Sequence, residues 1–134
     1  MSKSSFEIVQ PKHWAAPKGY ANGIAAQGRQ VFIAGQVGWN AQAQFESDDF
    51  VAQVEQALKN VVDILAAAGC EPRHLVRLNW YVTDKTEYAA RQSEIGTVYR
   101  RVIGRHFPAM TLVVVAGLLE SRAKVEIEAT AVMD

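Results

Sequence analysis

The hydrophobic period of the chain changes at Gly69, and this change limits the possible folds more than any other feature. From Asp49 to Ala68, apolar residues recur at three- and four-residue steps, which is the period of an amphipathic α-helix. From Leu75 to Thr83, apolar and polar residues alternate, which is the period of a strand with one buried face. A long amphipathic helix next to such a strand predicts helices packed on a sheet. The helical stripe consists of Val51, Val54, Leu58, Val61, Val62 and Leu65.

Both ends of this first helix have recognisable signals. Ser47 or Asp48 is expected to cap its start, and Gly69 suits the left-handed conformation that ends a helix. A second helix is predicted from about Glu87 to Ile103, and Gly104 follows its last turn. The apolar side of the second helix carries Ile95, Val98, Tyr99, Val102 and Ile103.

Short β-prone segments precede the first helix. Phe6 to Gln10 alternates and ends at a proline, and Gln30 to Ala34 is closed by glycines. One more strand is possible near Asn22 to Ala26. The amino-terminal third is therefore predicted to be β-structure.

The last third is also predicted to be β-structure. Leu112 to Ala116 is continuously apolar, which is typical of a strand covered on both faces. Lys124 to Val132 alternates instead, so that one set of side chains faces inward and the other outward. The inward set is Val125, Ile127, Ala129 and Ala131, and the outward set is Glu126, Glu128 and Thr130. The element order β-β-α-β-α-β-β predicts an α+β fold, a mixed sheet with two helices on one face, and 134 residues suit one domain over 1–134.

Composition argues against several functional classes. Apolar residues make up 49% and charged residues 21%, and 14 basic side chains balance 14 acidic ones. The basic excess that phosphate binding requires is therefore absent. The local cluster of Arg100, Arg101, Arg105 and His106 lies at the end of the second helix. There its positive charges are interpreted as complementing the helix dipole and forming a solvated surface.

The single cysteine and the chain start point to a reducing compartment. Cys70 has no partner for an intramolecular disulfide and is interpreted as a structural thiol at a helix exit. The first residues lack the apolar core of a signal peptide, and no run approaches the roughly 20 apolar residues of a membrane span. We expect a cytoplasmic protein. His13, His74 and His106 lack metal-ligand spacing, and no nucleotide-binding glycine motif is present, so neither a metal nor a cofactor is expected.

Four segments together carry a family resemblance. They are the turn Phe107-Pro108-Ala109-Met110-Thr111, the strand after it, the final strand, and Ile33-Ala34-Gly35-Gln36-Val37 with Tyr20 before it. This ordering resembles the Rid family (RidA or YjgF, earlier L-PSP endoribonuclease), small cytosolic proteins of which many hydrolyse reactive imines and enamines. The resemblance implies a fold like YjgF and chorismate mutase, and a homotrimer with a barrel-like centre that holds small molecules in clefts between subunits.

The resemblance also assigns roles to residues. Glu126 matches a glutamate that orients a water in the cleft, although a solvated strand carboxylate is an open alternative; Glu128 is the weaker candidate. Tyr20 matches a tyrosine that closes the cleft, although a packing role is equally open. Gly35 matches a glycine whose backbone N–H approaches a ligand, and Ala34 stands where the family has a serine.

Met110 departs from the family pattern. The active deaminases carry an arginine there that binds the substrate carboxylate, and methionine offers neither charge nor donor. Losing such a contact costs on the order of 1.5–3 kcal/mol. Thr111 and Leu112 follow where small polar or thiol residues are frequent, so the resemblance implies a more apolar pocket. A small uncharged or aromatic imine or enamine is therefore the expected substrate.

Two functional classes stay open at this point. The first is a hydrolase of the imine or enamine deaminase type. The second is a trimer that binds a metabolite without turning it over, which the loss of the arginine and the serine favours. The ribonuclease activity in the family's earlier name is disfavoured by the neutral charge.

Overall fold

The structure, a computed structural model, describes residues 6–134. Strands occupy both ends of this part of the chain, and helices alternate with strands between them. The elements are β1 Phe6–Val9, β2 Gly23–Ala26, β3 Arg29–Val37, α1 Phe50–Ala67, β4 Leu75–Val82, α2 Lys85–Ala90, α3 Gln92–Val102, β5 Ala109–Val114 and β6 Val125–Met133. The strand near Asn22 is therefore present.

The main sheet has four strands in the order β3-β6-β4-β5. The β3/β6 and β6/β4 pairs are antiparallel and the β4/β5 pair is parallel, so the sheet is mixed. β1 and β2 form a separate two-stranded antiparallel sheet. The α+β prediction with helices on one face of a mixed sheet is confirmed, with three α-helices rather than two in residues 6–134.

The first helix has the predicted stripe but a different cap. Asp49 is the N-cap, and its carboxylate accepts a hydrogen bond from the Ala52 N–H at 3.0 Å. The predicted caps are occupied elsewhere: the Ser47 Oγ accepts from the Asp49 N–H, and Asp48 pairs with Arg122. The left-handed conformation predicted after the helix is confirmed, because Gly69 has φ +78°.

The prediction of a single second helix was wrong, because the segment forms α2 and α3 with a break at Arg91. Arg91 has φ −118° and ψ 20°, which is outside the helical range. Its guanidinium donates to Asp49 at 2.6 Å and to Glu94 at 2.8 Å. These bonds tie the start of α3 to the start of α1.

The helices cover one face of the sheet and make the core there. Alternate residues of β4 and β6 point into it, α1 packs against β3 and β6, and α3 packs on α1. The sheet contributes fully or almost fully buried side chains from its two central strands: Leu78, Trp80, Val82, Val125, Ile127, Ala129 and Ala131.

The other face of the sheet is left open by residues 6–134. The prediction that Leu112 to Ala116 is covered on both faces was wrong for the chain alone, since Val113 and Val114 are 41% and 49% exposed. Phe32, on the open face of β3, is 73% exposed. The physical reason is that β5 is an edge strand and that the helices pack on one side only. In residues 6–134, no helix is both long and apolar enough to cross a membrane.

Candidate functional site

The sheet divides the candidate residues into two groups on opposite faces. Glu126 stands between Val125 and Ile127, both buried in the core, so its side chain points to the open face. Met110 pairs in register with Leu78, a core residue, so it points to the covered face. Within one chain, the predicted catalytic glutamate and the predicted pocket residue therefore do not meet.

On the open face, the Glu126 carboxylate lies directly against Gly35. A Cβ added to Gly35 would collide with the carboxylate, and even the Glu126 Cγ would be only 2.9 Å away. The register of β3 against β6 breaks between Ile33 and Gln36, which displaces the backbone here. Glycine at position 35 thus leaves the space that the carboxylate occupies, and a larger residue there would force the Glu126 side chain to move. Ala34 lies beside it and is exposed.

Two residues along the same strand, Glu128 is held by its neighbours. It accepts hydrogen bonds from the Tyr81 hydroxyl at 2.6 Å and from the Asn79 amide at 2.9 Å. The Tyr81 hydrogen bond, followed by that of Asn79, lowers the pKa of Glu128, and the same bond raises the pKa of Tyr81. Thr111 is in register with Asn79 on this face and is exposed.

Glu126 differs from Glu128 because its carboxylate makes no hydrogen bond or ion pair within residues 6–134. It is only part-exposed, since Gly35 and the neighbouring strands flank it. A carboxylate in this position keeps its acceptor sites free for a molecule outside the chain.

On the covered side of β5, a cavity of about 580 Å³ lies between the sheet edge and α3. This volume is within the usual range of small-molecule sites. Tyr20, Met110 and Leu112 line it, as three of the predicted site residues. The rest of the lining is Lys18, Gly19, Trp80, Tyr88, Gln92, Ile95, Gly96, Tyr99, Arg100 and Phe107.

Backbone and ring contacts hold the walls of this cavity. The Ala21 N–H donates to the Pro108 carbonyl at 3.0 Å, which fixes Tyr20 beside β5. The Tyr99 hydroxyl donates to the His106 carbonyl at 2.6 Å, and the Tyr99 ring stacks on Phe107 at 5.4 Å. The turn that carries the family resemblance is thus fastened to α3.

Two polar residues of the cavity are not apparent from the sequence. Trp80 is 3% exposed, and its indole Nε1 is buried without an acceptor among the described residues. Arg100 extends along α3 over Gly96, with its Nη1 3.2 Å from where a Cβ on Gly96 would lie. Burial raises the pKa of Tyr88, which also lines the cavity. The sequence pattern predicts a solvated helix end for Arg100 and a core position for Trp80, and neither indicates a cavity.

Neither the cysteine nor a metal-binding cluster adds a second site within residues 6–134. Cys70 is buried, with its Sγ 3.9 Å from the Met133 Sδ. Between Phe6 and Asp134, no three histidine, cysteine or carboxylate side chains group in a way that could hold a metal ion.

An α+β fold with helices on one face of a mixed sheet is also the fold of solved Rid-family proteins. The model of the family Endoribonuclease L-PSP matches residues 11–133, and the chain belongs to this family. The solved structure of YyfB from Yersinia pestis, a Rid-family protein of unknown function, superimposes with a TM-score of 0.86 at 30% identity. That match covers 96% of this chain and 99% of YyfB.

Other relatives have more specific names. A human 2-iminobutanoate/2-iminopropanoate deaminase is 30% identical over 105 residues, which are 78% of this chain and 73% of the human protein. Escherichia coli TdcF, solved with bound serine, has a TM-score of 0.68 at 28% identity, over 96% of this chain and 99% of TdcF.

Proposed function

We propose that this protein hydrolyses small imines or enamines in a cleft formed by two copies of the chain. Glu126 of one copy supplies the base, and the cavity of another copy, lined by Tyr20, Met110 and Leu112, binds the substrate. The copies assemble as a homotrimer in which the open faces of the sheets form the centre. The deaminase names of the relatives support this reaction class.

The observation that carries the proposal is the Glu126 carboxylate. It lies against a glycine that leaves room for it, and no group in residues 6–134 occupies its acceptor sites. Glu128 is the opposite case, because Tyr81 and Asn79 both donate to it and lower its pKa. A carboxylate already bonded twice is a poor acceptor for a water proton, so Glu126 is the base.

The chemistry requires only water and this carboxylate. Glu126 accepts a proton from water as the water oxygen bonds to the imine carbon, and the electron pair of the C=N bond moves to nitrogen. The nitrogen takes up the proton held by Glu126 and then the proton of the new hydroxyl group, the C–N bond breaks, and ammonia leaves as the carbonyl forms. Glu126 returns its proton in this second step and is regenerated.

The need for a second copy follows from the two faces of the sheet. A substrate in the cavity is separated from Glu126 of the same chain by the sheet itself. A neighbouring chain that covers the open face and the β5 edge would bring its own Glu126 to this cavity. Phe32 and Val113, exposed on the open face, supply apolar surface for such a contact.

The lining favours an aromatic or apolar substrate side chain, because Tyr20, Tyr88 and Phe107 surround Met110 and Leu112. One observation favours a second function, a trimer that binds a metabolite without turnover. By the family resemblance, Ala34 and Met110 stand at positions where the active deaminases carry a serine and an arginine, so this chain would lack a hydroxyl and a cation there.

An assay with Glu126→Gln tests the reaction, and Glu128→Gln is the matched control on the same strand. Imines are generated by an amino-acid oxidase, and the surviving imine is trapped with semicarbazide. Loss of a general base lowers turnover roughly 100-fold or more, whereas Glu128→Gln retains most of it. Full turnover in Glu126→Gln contradicts the assignment, and no acceleration by the wild-type protein favours the binding function.

A further inference from the structure

We propose that Gly96 on α3 sets the size of the group that the cavity accepts, and that its missing side chain leaves room for an aromatic ring. Gly96 lines the space of about 580 Å³ from the side of α3, whereas Met110 and Leu112 line it from β5. The inference rests on the proposed function for the reaction at this site. It adds a specificity-determining residue and the substrate class that this residue selects.

The helix itself gives no reason for a glycine at position 96. Gly96 lies in the interior of α3, where glycine is disfavoured because it loses more conformational freedom on folding than any other residue. Gly104, which follows the helix, has φ +96° and needs the freedom of a glycine, but Gly96 is not among the glycines with positive φ. Alanine or leucine would therefore suit the backbone at position 96 better.

Packing gives no reason for the glycine either. The three atoms nearest to a Cβ built at position 96 all belong to the Arg100 guanidinium, at 3.2, 3.9 and 3.9 Å. Arg100 is exposed, so the end of its flexible side chain can move aside. Gly38 is the contrasting case, because a Cβ there would lie only 2.7 Å from the Gln53 Cα, inside α1. A larger residue at position 96 is thus compatible with the fold.

The cavity is the feature that the glycine does change. Bare backbone on this wall lets a planar group lie close to α3, opposite Met110 and Leu112. Tyr20 and Phe107 line the same space and offer aromatic surface to such a ring. A substrate that carries only a methyl group would leave most of this volume unfilled. The substrate class is therefore imines or enamines that carry an aromatic ring.

Turnover of a large and a small imine tests this selection. Gly96→Leu places a branched side chain on the α3 wall, and Ser93→Leu is the control, because Ser93 is an exposed residue of α3 outside the cavity lining. Gly96→Leu should lower kcat/KM for the imine formed from phenylalanine roughly 10-fold or more relative to the imine formed from alanine. Gly96→Ala should show a smaller change in the same direction, and Ser93→Leu should keep the wild-type ratio.

Thermal unfolding excludes a trivial cause of this loss. Alanine and leucine are better helix formers than glycine, so Gly96→Ala and Gly96→Leu should have a Tm at least as high as that of the wild-type protein. The expected combination is a retained or raised Tm with a lost preference for the aromatic imine. An unchanged ratio of the two imines in Gly96→Leu, or an equal loss of both, would overturn the inference.

An unreactive probe separates this inference from the proposed hydrolysis. Phenylacetamide carries a ring and no charge, and by calorimetry it should bind Gly96→Leu roughly 10-fold or more weakly than the wild-type protein or Ser93→Leu. Absence of binding to the wild-type protein at the solubility limit of the probe would also overturn the role of Gly96.

The two proposals fail in different ways. If phenylacetamide binding weakens as expected in Gly96→Leu but no imine is hydrolysed by the wild-type protein, the role of Gly96 stands and the hydrolase is wrong. If imines are hydrolysed with the same preference by the wild-type protein and by Gly96→Leu, the hydrolase stands and the role of Gly96 is wrong.

Discussion

The two faces of the four-stranded sheet are built from the same strands but differ in what they contact. The covered face is filled by the chain itself, with Leu78, Val125 and Ile127 fully buried under the helices. The open face carries glutamates, a tyrosine and an exposed phenylalanine, and none of the described helices lies over it. The covered face determines the fold, whereas the role of the open face depends on the groups that a neighbouring molecule places against it.

The open face is also not uniform, and its two glutamates make the difference clear. Glu128 is enclosed in a network with Tyr81 and Asn79, whereas Glu126 has only Gly35 beneath it. Side chains two residues apart thus differ in availability, because one has its acceptor sites filled. A free carboxylate next to an uncovered apolar surface marks the position where a second copy would complete a site.

The largest expected effect separates the two faces. Ile127→Ala empties a fully buried position and should lower the free energy of unfolding by about 2–5 kcal/mol, without changing the assembly. Phe32→Ser removes an exposed ring and should leave the folded chain intact but weaken the proposed homotrimer. Denaturant titration and light scattering measure the two effects. An intact trimer in Phe32→Ser would contradict the role of the open face.

A smaller effect is expected at Gly35, where the bulge meets Glu126. Gly35→Ala introduces a Cβ that collides with the carboxylate, so it should displace Glu126. We expect it to lower the free energy of unfolding by about 1–3 kcal/mol and to remove most of the turnover. Gly117→Ala is the control, because a Cβ there meets nothing within 4 Å. Equal turnover in the two variants would show that the position of Glu126 is not critical.

The smallest effect concerns pH and the Glu128 network. Because the folded-state pKa of Glu128 is lowered, its carboxylate stabilises the folded state above its ordinary pKa of about 4.3 and loses this effect as pH falls through the folded pKa. Glu128→Gln and Tyr81→Phe should each make the acid loss of stability shallower. Unfolding titrations at neutral pH and near pH 3 measure this loss of stability. The same loss in both variants as in the wild-type protein would contradict the stabilising role of the Glu128 network.

The alternating strands are predictable from the sequence, because an alternation with a period of two residues shows which side chains lie on the same face. In the final strand, the alternation by itself puts Glu126 on the face opposite Val125 and Ile127, as the structure has it. The run from Met110 to Ala116 has almost no polar residue to mark its outer side, so neither the face of Met110 nor the exposure of Val113 follows from it.

Two further features depend on long-range contacts. The break at Arg91 has no glycine or proline to signal it, and it is accompanied by a bond to Asp49, 42 residues away. Arg100 belongs to a run of basic residues that is typical of a solvated helix end, and only the packing of α3 beside β5 brings it into the cavity.

The central claim is that the base and the cavity of one site come from different copies of the chain. Glu126→Gln removes the base, and Gly96→Phe fills the cavity at a position where a Cβ would meet only the flexible end of Arg100, at 3.2 Å. Each variant alone should be inactive toward imines formed from phenylalanine. Coexpressed with different tags and purified as mixed assemblies, the two should recover turnover well above either parent. Turnover no higher than that of the parents, in assemblies proven to be mixed, would contradict the account.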